Sequence, residues 1–189
     1  MQKKIAMIIA FRDFRDEEYF IPKQTLETAG AEIITISTSL PSHQNSEGIS
    51  GSKGFGKAIG KLGGEAEINI LLRDLKVADY DAILFIGGPG AANYIEDKVC
   101  HKIAGEAVEN NKVLGAICIA PAILAKAGVL DGKKATVWSS VMDKSAVKIL
   151  EENGAIFQKD SVVVDGEIVT GNGPGAAKEF GEKIIETLN

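Results

Sequence analysis

Cysteine, histidine and tryptophan are scarce in this chain: its 189 residues hold two cysteines, two histidines and one tryptophan. Two cysteines cannot build a disulfide framework, and free thiols fit a reducing cytosol. His43 and His101 are the two imidazoles, and no spacing of His, Cys and carboxylate around them makes a zinc set or completes a Ser-His-Asp triad. No metal and no cofactor is therefore expected. Positive charge is also short. Twenty-one Lys and Arg against 26 Asp and Glu leave a net charge of −5, which argues against nucleic acid, since that partner wants a basic patch. Long apolar runs are missing too. The longest uncharged apolar stretch, Val113 to Ala125, falls well short of the roughly 20 residues a bilayer demands. Lys3 and Lys4 open a short apolar run, but it ends at Phe11 before Arg12-Asp13, with no small-residue cleavage site behind it. The expectation is a cytoplasmic protein with no membrane partner.

What is present is an ordinary core. The chain is 45% hydrophobic and 25% charged, which suits a globular protein, and its length suits a single domain over 1–189. Short apolar runs alternate with helical periods. Ile5 to Phe11, Ile33 to Ile36, Ala82 to Ile86, Val113 to Cys118 and Ala135 to Trp138 read as strands. Asp16 to Ala29, a segment around Ile103 to Val108, Ala120 to Ala127, Asp143 to Asn153 and Ala176 to Leu188 read as helices, and Ser161 to Thr170 reads as a hairpin about Asp165-Gly166. Such alternation implies βαβ units, hence an α/β fold with a mostly parallel central sheet covered on both faces. Sites in these folds sit at the carboxyl ends of strands, which selects the loop after Phe11, the Gly87-Gly88 turn and Cys118. The stretch from Ser39 to Gly64, rich in Gly, Ser and Lys, is too long for a plain connection and predicts a short hairpin or a flap.

Cys118 carries the sharpest chemical signal. It ends the apolar run Leu114-Gly115-Ala116-Ile117 and precedes Ile119-Ala120-Pro121, a strand-to-helix turn that would lift a nucleophile out of the sheet. Unpaired N–H groups there favour thiolate, so its pKa is expected below the free value of about 8.5. The alternative is an inert core thiol. Glu18 stands in the first turn of a helix, where an acid commonly serves only as a dipole partner. Held near a thiolate in an apolar pocket it would instead stay protonated and shuttle a proton. Gly87-Gly88-Pro89-Gly90 lets backbone N–H groups come close to a substrate. With the N–H of Ile119 it could form an oxyanion hole. Three further patterns are weaker. Gly51 to Lys57 has phosphate-loop spacing, but Ala58 replaces the magnesium-binding hydroxyl. Gly171 to Ala176 resembles a dinucleotide turn without the strand and acid that should follow. Cys100-His101, flanked by Glu96, Asp97, Lys98 and Lys102, reads as surface.

These segments resemble the ThiJ/PfpI superfamily, which contains the Parkinson-disease-associated deglycase and intracellular proteases. The resemblance spans nearly the whole chain and rests on Glu18-Tyr19-Phe20-Ile21-Pro22, Tyr80 through Gly88, Gly115 through Pro121 and Thr170 through Gly175. It implies a flavodoxin-like three-layer sandwich, usually a homodimer, with Cys118 as elbow nucleophile and Glu18 as its protonated partner. It also implies Gly88 and Ile119 as oxyanion donors. The family's usual imidazoles are missing. Ile119 follows the cysteine where the protease branch has His, and Trp138 stands where the deglycase branch has His, so Trp138 is expected to narrow the pocket. Peptide hydrolysis wants both a base and an acid for the leaving amine. Only His43 could substitute. The resemblance then implies a glyoxalase III-like or deglycase-like enzyme on small reactive carbonyl or acyl substrates. The alternative is a redox-responsive, stress-protective protein whose Cys118 oxidises to sulfinate. An amidotransferase glutaminase fits poorly, because Ala116 and Ala120 replace its glycines and no His follows His101.

Overall fold

The computed structural model describes residues 2–37 and 55–189. His43 and the greater part of the Gly51 to Lys57 run lie outside them.

The strands are β1 (Lys4–Ile9), β2 (Arg12–Phe14), β3 (Glu32–Ser37), β4 (Lys57–Gly60), β5 (Glu65–Glu67), β6 (Ile70–Leu71), β7 (Ala82–Phe85), β8 (Val113–Ile117), β9 (Lys134–Ala135), β10 (Ile156–Phe157), β11 (Val162–Asp165) and β12 (Ile168–Gly171). The helices are α1 (Asp16–Thr28), α2 (Lys98–Glu109), α3 (Pro121–Lys126), α4 (Ser145–Glu152) and α5 (Ala177–Thr187). Seven strands form one sheet in the order β11-β12-β8-β7-β1-β3-β6. Only the β11–β12 hairpin is antiparallel within it. The α/β class and the mostly parallel sheet expected from the sequence are the observed ones.

Side-chain alternation explains the layering, because successive residues of a strand face opposite sides. In β1, Ile5, Met7 and Ile9 pack with Tyr19 and Leu26 of α1 and Phe180 and Ile184 of α5. Ala6 and Ile8 pack with Ile103 of α2, Ile123 of α3 and Leu150 of α4. β7 divides in the same way, with Leu84 on the first side and Phe85 on the second. Continuous apolar runs rather than alternating ones result, as parallel strands buried on both faces require. A buried polar pair joins α1 to β3: Tyr19 Oη and Thr35 Oγ1 lie 2.6 Å apart and satisfy each other.

Two local readings need correction. Cys100 is not at the surface. It is 1% exposed, because positions 100, 103, 104 and 107 share the inward face of α2. Burial, then the charge of Asp97, pushes its thiol up to about 12. His101 is half-buried, with its Nε2 2.7 Å from the Ile95 carbonyl oxygen. The strand expected over Ala135 to Trp138 stops at Ala135. Beyond it the backbone N–H groups go elsewhere: Thr136 donates to Thr170 Oγ1 at 2.9 Å and Trp138 to the Cys118 carbonyl at 2.8 Å.

The described end of the irregular stretch holds β4, which forms a hairpin with β5 just beyond Gly64, and β2 pairs alongside β4. Its turn is fastened to the start of α1, where the buried Asp16 carboxylate accepts from the Leu62 and Gly64 N–H groups at 2.7 Å each. Hydrogen bonds to a charged acceptor are worth about 1.5–3 kcal/mol apiece, so this clamp fixes the helix end on which the site depends. Among the described residues, no helix is long and apolar enough to cross a membrane.

Candidate active site

Three chain segments converge where β1, β7 and β8 end. The first runs from β1 into α1. Arg15 caps α1 in an extended conformation, and its N–H donates to the Gly87 carbonyl at 3.1 Å. The three acids that follow diverge as helical spacing dictates. Asp16 turns to the hairpin, Glu17 pairs with Arg15, and Glu18 turns inward. Glu18 is fully buried, and no group among the described residues meets hydrogen-bond geometry with either of its carboxyl oxygens. Its polar neighbour is the Cys118 sulfur. Desolvation raises its pKa from 4.5 to about 7, partly opposed by Cys118 and by the Arg15 charge.

The second segment is the turn after β7. A Cβ on Gly87 would stand 2.6 Å from Cys118 Cβ and 2.7 Å from Glu18 Oε2, so only hydrogen fits between thiol and acid. Gly88 has φ +104° and ψ 167°, a region open to glycine alone. That conformation sends its N–H toward the Cys118 sulfur.

The third segment is the elbow after β8. Cys118 has φ +65°, one of three non-glycine residues with positive φ among those described. Such a conformation costs roughly 1–2 kcal/mol and persists only where its surroundings enforce it. Here the Cys118 N–H donates to the Gly171 carbonyl at 2.8 Å, and the Cys118 carbonyl accepts from Trp138. Both sides of the residue are thereby held. The Ile119 N–H joins that of Gly88 at the sulfur.

The expected thiol pKa below 8.5 is overturned. Burial first, then the Glu18 carboxylate charge, pushes the Cys118 thiol up to about 12, and the two backbone N–H groups only partly offset this. The helix behind the elbow has a single short turn and a half, too little dipole to win. Thiol and carboxyl titrate as a pair. The first proton leaves the pair near neutral pH, and the second is held because two adjoining anions would have to share an apolar site.

An open pocket of about 350 Å³ exposes this pair, lined by Arg15, Glu18, Gly88, Pro89, Cys118, Ile119, Trp138 and Pro174. The structure thus brings together every site residue expected from the sequence: Cys118, Glu18, Gly88, Ile119 and Trp138. Arg15, Pro89 and Pro174 were missed as lining residues. A signal existed for Arg15, because the cap of α1 must sit at the carboxyl end of β1, where α/β folds bind ligands. Among the described residues, no imidazole lines the pocket and no group of three or more His, Cys, Asp or Glu side chains is placed to hold a metal ion.

The DJ-1/PfpI family model matches residues 3–187. The chain is 34% identical over 186 residues to the uncharacterized protein MJ0967 of Methanocaldococcus jannaschii, covering 98% of this chain and 82% of that one. It is 33% identical over 120 residues to the glutathione-independent glyoxalase DJR-1.2 of Caenorhabditis elegans, covering 64% and 61%. A ThiJ/PfpI domain protein from Brachyspira murdochii superposes with TM-score 0.87 at 29% identity, over 100% of this chain and 97% of the other. Drosophila melanogaster DJ-1beta superposes with TM-score 0.80 at 26% identity, over 100% and 91%. The chain belongs to the DJ-1/PfpI family.

Proposed function

We propose that this protein is a cysteine-dependent enzyme acting on small reactive carbonyl compounds, in the manner of a glutathione-independent glyoxalase. The observation that carries this reading is the fully buried Glu18 carboxyl set against the Cys118 thiol, which stands on a strained elbow with two N–H donors at the sulfur. A dipole partner would be solvated. This acid is enclosed, and its pKa of about 7 suits proton transfer in both directions near neutrality.

The chemistry follows from those parts. Cys118 sulfur adds to the aldehyde carbon of a 2-oxoaldehyde, and the carbonyl oxygen takes up a proton to give a hemithioacetal. The Gly88 and Ile119 N–H groups stabilise the oxyanion as it develops. Glu18 as carboxylate removes the proton from that carbon, and the electron pair moves to form an enediol. Glu18 then returns the proton to the neighbouring carbon, leaving a thioester on Cys118. Water cleaves the thioester to a 2-hydroxy acid and the free thiol. Electrons are only redistributed within the substrate, so no external oxidant or cofactor enters. Trp138 and Ile119 restrict the pocket to small substrates. The homodimer implied by the family resemblance belongs to the same proposal. Peptide hydrolysis is less well supported, because among the described residues no imidazole lines the pocket to protonate a leaving amine.

Turnover of methylglyoxal without glutathione, followed as lactate, tests the reading. Cys118→Ala is expected to abolish product, and Glu18→Gln to slow its formation by about 10²–10⁴-fold, the usual worth of a general acid–base. Unchanged turnover in either variant overturns the mechanism. The exposure of Cys118 at the pocket beside a protonatable acid also favours a second reading, oxidation to a sulfinate hydrogen-bonded by Glu18. Mild peroxide should then add two oxygens per chain, seen by intact mass and absent in Cys118→Ala. A wild-type mass without selective addition at Cys118 removes that reading.

A further inference from the structure

The walls of the pocket are mainly carbon, supplied by Pro89, Ile119, Trp138 and Pro174. Glu18 and Arg15 are its ionisable polar groups besides the sulfur. Glu18 is spoken for by Cys118. Arg15 is not needed for any step above, yet its position is firmly set. Its backbone caps α1 and is bonded to Gly87, one residue from an oxyanion donor. Its guanidinium is held by Glu17, with Nε 2.8 Å from Oε2 and Nη2 3.2 Å from Oε1. That pairing consumes one edge of the fork. Nη1 and the remaining N–H of Nη2 have no acceptor among the described residues, and both members of the ion pair are 34% exposed. A planar, permanently charged fork with a free edge, at the mouth of an apolar pocket, is a carboxylate receptor by its chemistry. The net charge of −5 gives anions no general attraction to this protein, so any preference for them has to be local.

We propose that Arg15 is a specificity-determining residue that selects small carbonyl substrates bearing a carboxylate. The proposal deepens the reading of Cys118 as the carbonyl-attacking group and rests on it. The substrate's carboxylate takes the open edge of the guanidinium, and its reactive carbonyl is thereby directed at the sulfur. Glu17 orients the fork and competes with the substrate for it, so Glu17 tunes the affinity.

Iodoacetate and iodoacetamide test this without turnover, because they have nearly the same shape and differ by one charge. The readout is the ratio of their alkylation rates at Cys118 near neutral pH, compared with the same ratio for glutathione. Cys100 is buried, and Cys118→Ala supplies the background. The wild-type ratio is expected to exceed that of glutathione by about tenfold or more, the worth of a charge-assisted hydrogen bond. Arg15→Gln should remove the excess; because the Arg15 charge also acts on the Glu18–Cys118 pair, each variant's iodoacetate rate is read against its own iodoacetamide rate. Arg15→Lys should keep part of the excess, and Glu17→Gln should raise it. A wild-type ratio equal to that of glutathione, or one unchanged in Arg15→Gln, overturns the proposal and leaves the glyoxalase reading standing. A sulfur inert to both reagents overturns both. An intact charge preference in a protein that makes no lactate keeps Arg15 as the anion receptor and discards only methylglyoxal turnover.

Discussion

Glu18→Gln is expected to melt at a higher temperature than the wild-type protein at about pH 8, with the difference vanishing by about pH 4. Burial raises the Glu18 pKa from 4.5 to about 7. Between those values the folded chain binds a proton that the unfolded chain has released. Stability therefore falls as pH rises through that window and stays low above it. A shift of this size corresponds to at most about 3 kcal/mol, part of it shared with the coupled Cys118 thiol. For a chain of this size that is roughly 5–10 °C in Tm. Glutamine has nearly the same shape and no charge to desolvate, so its stability should be flat over the same range. Calorimetric melts at a series of pH values decide the matter, and parallel curves for the two proteins would falsify the assignment of a buried, shifted carboxyl. The same substitution is expected to cost turnover. A gain in stability with a loss of activity is the mark of an acid retained against folding for its chemistry.

Gly88→Ala is expected to lose roughly 3–5 kcal/mol of stability, a large share of the 5–15 kcal/mol typical of a folded domain. Two causes add. The residue sits at φ +104°, where a side chain is strained whatever room it has. Its Cβ would also stand 2.3 Å from Arg15 N, 2.6 Å from Asp13 O and 2.7 Å from Phe14 C, all backbone atoms that cannot rotate away. Alanine keeps the N–H, so the donor is displaced rather than deleted, and relief requires the junction of β2 and α1 to move. Gly105→Ala is the natural control. It lies in α2 with nothing within 4 Å of the added Cβ, and should gain up to about 1 kcal/mol from helix propensity. Chemical unfolding midpoints of the two variants should move in opposite directions. A Gly88→Ala protein as stable as the wild type would mean that the turn is not the rigid donor described.

The fold was legible because parallel strands buried on both faces leave continuous apolar runs, and β1, β7 and β8 stand where Ile5, Ala82 and Val113 begin them. The hairpin of β11 and β12 was announced by Asp165-Gly166. Positions were legible in the site as well. Cys118 follows an apolar strand and precedes Pro121, and the first turn of α1 carries the acid. What could not be read was the outcome of competing effects at a point. N–H donors and desolvation act on the same sulfur with opposite signs, and only the packing decides that desolvation prevails. Cys100 misled for a related reason. Its charged neighbours are correct for a surface helix, but the spacing to Ile103 and Ala107 fixes which side of that helix it occupies. The end of β9 depended on bonds to Thr170 and Cys118, both distant in sequence.

The bond from the Cys118 N–H to Gly171 ties the elbow to a strand that leaves the ribosome more than fifty residues later. During synthesis the sulfur is therefore made long before the lattice that bends it exists. Until β12 docks beside β8, the Gly171 half of the restraint on the costly backbone angle of residue 118 is missing. What a half-assembled chain lacks is thus the bent elbow, not the thiol: burial and the neighbouring acid, which push the folded sulfur's pKa up to about 12, come only with the finished sheet.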